Sequence, residues 1–98
     1  MRIEVKNPGG SIERLMRDIG YKPDRYTPDG ELSAVRKMGA TGFPRFHIYV
    51  KESRGGLTLN LHLDQKRPSY GEHTAHSGDY ESLEVKSELE RINDILSK

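Results

Sequence analysis

The sequence predicts a small α+β fold: an antiparallel sheet of three to four strands with two amphipathic helices on one face, in the order β-α-β-β-β-α. Two kinds of periodicity carry that reading. Phe46, Ile48 and Val50, then Leu57, Leu59, Leu61 and Leu63, recur with the two-residue period of half-buried strands, on either side of a glycine turn. Ile12, Leu15, Met16 and Ile19 fall at i, i+3, i+4 and i+7, and Val85, Leu89, Ile92 and Leu96 at i, i+4, i+7 and i+11. Each of those sets forms a single apolar stripe on a helix. A length of 98 residues suits a single domain, 1–98, with a small core and a thin margin of stability.

Taken in order, Ile3 and Val5 alternate with Arg2, Glu4 and Lys6 as a short first strand, which Asn7-Pro8-Gly9-Gly10 ends. Ser11 is a natural N-cap for a helix over Ser11 to Ile19, and Gly20 stands at its C′ position. The glycines before this helix match neither the GxGxxG nor the GxxxxGK[ST] phosphate-loop spacing. Residues 21–30, YKPDRYTPDG, read as a loop with two Pro-Asp pairs. Glu31 to Met38 reads as a strand, although Leu32, Val35 and Met38 also fit a helical spacing, and Gly39 to Gly42 reads as a turn.

The hairpin has an arguable register. With Arg54-Gly55 as its two-residue loop, Phe46 faces Leu63, Ile48 faces Leu61 and Val50 faces Leu59. The same pairing sets Arg45 opposite Asp64, His47 opposite His62 and Tyr49 opposite Asn60. A Gly55-Gly56 loop would put Phe46 against Gln65 and Arg45 against Lys66. The first register joins apolar to apolar and plus to minus, and is preferred. The sixteen residues from Gln65 to Tyr80 have no periodic pattern and read either as a long binding loop or as a segment with a short element that the pattern does not show. The final helix starts near 83, with Ser82 as cap and Glu84 in its first turn, or near 88, where Ser87 and Glu90 make a capping-box pattern.

Charge is uneven along the chain. Residues 1–70 hold thirteen Lys or Arg against eight Asp or Glu, a balance of +5, while residues 71–98 hold three against seven, a balance of −4. A basic sheet region with an acidic last helix suits an anionic ligand on the sheet. The sequence holds no cysteine, which excludes disulfides, thiolate metal ligands and cysteine nucleophiles. No apolar run approaches the length of a membrane span and the N-terminus lacks an apolar h-region, so a soluble, cytoplasmic protein with no membrane partner is expected.

The functional expectation follows from the two faces of the hairpin. Phe46, Ile48, Val50, Leu59, Leu61 and Leu63 belong to a core, whereas Arg45, His47, Tyr49, Asn60, His62 and Asp64 have no packing reason to be together. With Lys66, Arg67 and Tyr70 of the following loop, they form the candidate ligand-binding set. Residues 36–67 hold seven basic residues against two acidic ones, and Tyr49, His47 and Tyr70 offer rings for base stacking. The expected partner is therefore nucleic acid or another phosphate-bearing ligand, with a protein partner for the open face as the plainer option. The order α-β-β-β-α within residues 11–97 resembles the double-stranded-RNA-binding domain in topology alone; that family's basic run at the start of the last helix is absent, and Glu84 stands there.

The alternative is a metal-dependent hydrolase or nuclease. His62, Asp64, His73 and His76 supply nitrogen and oxygen ligands for a divalent ion, zinc or magnesium, though no H-E-x-x-H motif occurs. Asp64-Gln65-Lys66 matches the D-x-K half of PD-(D/E)xK nucleases, with Pro28-Asp29 as a candidate first half. For acid–base work, His62 beside Asp64 would orient another histidine and His47 would shuttle a proton, and no serine or threonine stands out as a nucleophile. Of these, a non-enzymatic binding domain is the preferred expectation, and catalytic residues are left unassigned.

Overall fold

The computed structural model describes residues 1–64 and 83–97. Within them the chain forms β1 (Arg2–Lys6), α1 (Ile12–Asp18), β2 (Lys22–Tyr26), β3 (Leu32–Lys37), β4 (Arg45–Ser53), β5 (Gly56–Asp64) and α2 (Leu83–Leu96). The five strands make one antiparallel sheet in the order β1-β5-β4-β3-β2. The α1 connection carries the chain from one edge of the sheet to the other. The strands β2 to β5 then meander back until β5 lies beside β1.

The hairpin forms in the preferred register: Phe46 pairs with Leu63, Ile48 with Leu61, Val50 with Leu59, and Arg45 with Asp64. Ser53 faces Gly56, so Arg54-Gly55 is the loop, and Gly55 takes φ 66°, a conformation that costs glycine nothing. Along β5, and in β4 as far as Val50, every second residue is buried, which is the physical meaning of the period-two pattern.

Helix α1 begins as expected, with the Arg14 N–H donating to Ser11 Oγ at 3.2 Å, and Gly20 follows it at φ 93°. Helix α2 starts at Leu83 rather than near 88. Its expected cap, Ser82, and the expected loop over 65–80 lie outside the described residues. Both helices lie on one face of the sheet, α1 against β2 and β3, α2 against β5 and β1. Ile12, Leu15, Met16 and Ile19 from α1, and Val85, Leu89, Ile92 and Leu96 from α2, share one core with the inward rows of β3, β4 and β5. Among the described residues, no helix is long and apolar enough to cross a membrane.

The expected count of three to four strands falls short by β2, which occupies half of the segment read as a loop. Lys22-Pro23-Asp24-Arg25-Tyr26 has no apolar alternation, and a proline inside it argues against a central strand. As an edge strand it needs neither. Among the described residues one side of β2 is paired, and its register shifts between Pro23 and Arg25, leaving Asp24 as a bulge. The order is therefore β-α-β-β-β-β-α, and four strands between the helices break the α-β-β-β-α likeness noted above.

A buried ionic cluster ties the helices to the sheet. Glu88 of α2 is 5% exposed and accepts from Tyr21 Oη at 2.7 Å, Arg36 Nη1 at 3.2 Å, and Arg91 Nε and Nη2 at 2.9 and 2.8 Å. Arg91 Nη2 also donates to the Ile19 carbonyl, at 2.7 Å, near the end of α1. Burial on its own would raise the Glu88 carboxyl; the hydrogen bonds from Arg91 and Tyr21 and the two guanidinium charges outweigh it and hold the pKa below the usual glutamate value. Burial and the Glu88 bond push the Tyr21 phenol far up, so it serves as a donor throughout the physiological range.

Candidate functional site on the open sheet face

The face away from the helices is built by the outward rows of all five strands. Cross-strand register brings together Arg2, Glu4 and Lys6 of β1, Thr58, Asn60, His62 and Asp64 of β5, Arg45, His47, Tyr49 and Lys51 of β4, Ser33, Val35 and Lys37 of β3, and Lys22 and Arg25 of β2. All six hairpin residues proposed from sequence, Arg45, His47, Tyr49, Asn60, His62 and Asp64, therefore share one face. Lys66, Arg67 and Tyr70 lie outside the described residues, as do His73 and His76.

At the centre of this face stands a row of rings. The centroids of His47 and Tyr49 are 4.6 Å apart with planes inclined by 30°. Tyr49 meets His62 edge-on, with centroids 6.0 Å apart. The first pair are i, i+2 neighbours on β4, and His62 is the direct cross-strand partner of His47. Around the row the surface is cationic: Arg2, Lys6, Lys22, Arg25, Lys37 and Lys51 are exposed. The described carboxylates on the same rows are Glu4 and Asp64.

Asp64 anchors a second feature. Arg45 Nε donates to Asp64 Oδ2 at 3.2 Å, and His47 Nδ1 lies 3.5 Å from the same oxygen. The other nitrogen of that ring, Nε2, is 2.8 Å from Ser33 Oγ. The His47 bond, joined by that of Arg45, holds the Asp64 carboxyl below the usual aspartate value against the opposing effect of burial. Arg45 also stacks its guanidinium 4.7 Å above the Phe43 ring. Desolvation is the main cause that pushes His62 below the ordinary histidine value, so its neutral form is favoured in the folded protein.

The sequence pairs His62 with Asp64 as the groups that would orient another histidine; in the structure they part. Asp64 does orient His47, which is two positions out of register with it, while His62 meets the rings. No serine stands out as a nucleophile in the sequence; in the structure Ser33, 3% exposed, is bonded to His47. Its partner was hidden because β3 was read without a register; once Ser33 pairs with Tyr49, its side chain must share the face of His47. The nuclease halves do not meet. Pro28-Asp29 lies in the turn between β2 and β3, and β3 and β4 separate β2 from Asp64 on β5. For the metal reading, His62 and Asp64 share the face, and among the described residues no group of three or more His, Asp or Glu is placed to hold an ion.

No protein-family model matches the chain, and no match is found among curated proteins or solved structures.

Proposed function

We propose that this protein is a binding module whose open sheet face takes single-stranded nucleic acid. The row His47–Tyr49–His62, set in a cationic surround, supports this reading above all else. Bases need planar partners, and stacking on an aromatic ring is tolerant of sequence because every base has a π-face. Phosphates need positive charge along the strand, which Arg2, Lys6, Lys37 and Lys51 provide on both sides of the row. A row of rings on an open sheet leaves the bases unpaired and accessible, which favours a single strand over a duplex.

The test is a fluorescence-anisotropy titration of labelled single-stranded RNA and DNA oligonucleotides, repeated over a range of salt. The expected result is binding that weakens with salt, with a logarithmic slope of about −0.7 for each phosphate neutralised. It should also weaken in Tyr49→Ala. Absence of binding at low salt would end the reading. Binding that Tyr49→Ala leaves unchanged would reduce the face to a non-specific cationic surface.

A further inference from the structure

We propose that Ser33, His47 and Asp64 form a nucleophile–base–carboxylate chain that hydrolyses carboxylic esters. This activity is separate from nucleic-acid binding: the two readings share His47, and this one rests on its hydrogen-bond and ion-pair partners rather than on the row of rings. The three residues step diagonally across β3, β4 and β5: Ser33 pairs with Tyr49, two residues from His47, and His47 pairs with His62, two residues from Asp64. Diagonal neighbours on one face are within reach of long side chains. The resulting distances are 2.8 Å from Ser33 Oγ to His47 Nε2 and 3.5 Å from His47 Nδ1 to Asp64 Oδ2.

The direction of the proton follows from the donor inventory. Ionised Asp64 only accepts, so a neutral His47 ring keeps its hydrogen on Nδ1 and turns the Nε2 lone pair to Ser33. The Ser33 hydroxyl then donates to Nε2, which is the arrangement that activates a serine. Arg45 Nε binds the same Asp64 oxygen as His47 and so helps to fix the far end of the chain.

The neighbourhood of Ser33 narrows the substrate. Arg25 faces Ser33 from β2 immediately after the Asp24 bulge, and Lys22 is near it on the same row. A bulge re-aims side chains, and a cation beside the nucleophile offsets negative charge developing on a carbonyl oxygen. The substrate class is therefore a small ester with an anionic acyl group. Ser33 Oγ attacks the carbonyl carbon while its proton passes to His47 Nε2. The bond from that carbon to the alcohol oxygen then breaks, and the alcohol leaves with the proton. Water repeats the attack on the acyl-serine, releases the acid and restores Ser33.

The experiment is labelling of the whole chain with a fluorophosphonate probe, which bonds to an activated serine with loss of fluoride, followed by peptide mass spectrometry. The expected result is modification at Ser33, absent in Ser33→Ala and slowed by about a hundredfold or more in His47→Gln. Asp64 acts through the imidazole as a positioning residue, so Asp64→Asn should move the pH profile of the labelling rate toward lower pH. Hydrolysis of 4-nitrophenyl succinate should exceed that of the acetate in the native protein, and Arg25→Ala should remove the difference. An unmodified Ser33 in the native protein overturns the proposal without reference to any variant. A pH profile that Asp64→Asn leaves in place would remove Asp64 from the chain.

Discussion

Each face of the sheet carries a hydrogen-bonded network around one carboxylate, and the two are built differently. On the helix side, Glu88 is 5% exposed and is bound by two guanidinium groups and a phenol drawn from α2, β3 and the segment after α1. On the open side, the Asp64 side chain is 33% exposed, its partner Arg45 is 32% exposed, and one of its ligands is a histidine bonded to a serine. The first network closes on itself and holds two helices to a sheet. The second leaves a third of the Asp64 side chain exposed and ends on Ser33, which is itself 3% exposed. Burial of the Glu88 carboxylate with full pairing ties elements together, and the partly exposed Asp64 network is the one on which the proposed chemistry rests.

Removing each carboxylate sharpens the contrast most. Glu88→Ala leaves Arg36, Arg91 and Tyr21 without their shared acceptor and should cost about 3–5 kcal/mol in urea unfolding, enough to threaten a domain of this size. Asp64→Ala removes a solvent-screened pair and should cost no more than about 1 kcal/mol. Equal losses would abolish the distinction between the faces.

Truncating a ring inverts the comparison. Tyr49→Ala should reduce oligonucleotide affinity by about 1–3 kcal/mol for each base it stacks, while leaving the Glu88 cluster and the helices in place. Affinity is read by anisotropy and helix retention by circular dichroism.

Acid should separate the networks in order. The folded His62 pKa is depressed, so the unfolded chain binds its proton first, and stability declines as the pH falls below the ordinary histidine value of 6.5. His62→Gln should remove that early decline. Glu88 and Asp64 are also depressed, so their contributions are complete above the ordinary values of 4.5 and 3.8 and are lost as pH falls through the lower folded values. A stability curve against pH for the native protein and His62→Gln resolves the two steps. The smallest effect belongs to the rim. Lys51→Ala should reduce the salt slope of binding by about 0.7 and leave stability unchanged.

Much of this could be read from residue order. Leucine and aromatic alternation specified the hairpin to the residue, because a slip of one would have turned every apolar side chain to water. The same register puts Arg45, His47, Tyr49, Asn60, His62 and Asp64 on one face. What stayed hidden depended on pairing between distant segments. Lys22–Tyr26 is a strand because β3 offers it an edge, and nothing in Lys-Pro-Asp-Arg-Tyr signals that by itself. Glu88 sits one residue before the apolar Leu89, and its burial is sustained by Arg91 one turn on and by Arg36 and Tyr21, far off in sequence. The Ser33–His47–Asp64 contacts stay hidden for the same reason, since they need β4 and β5 beside β3.

The central claim is that function lives on the ring-bearing face and architecture on the other. Side-chain NMR tests it most directly: the His47, Tyr49 and His62 ring resonances and the methyl groups of Ile12, Leu15 and Leu89 are followed while a single-stranded RNA oligonucleotide is added at low salt. The account predicts that the ring resonances shift and saturate together while the helix-side methyl groups stay still. Shifts confined to the helix-side methyl groups, or no saturable shift of the rings, would contradict it.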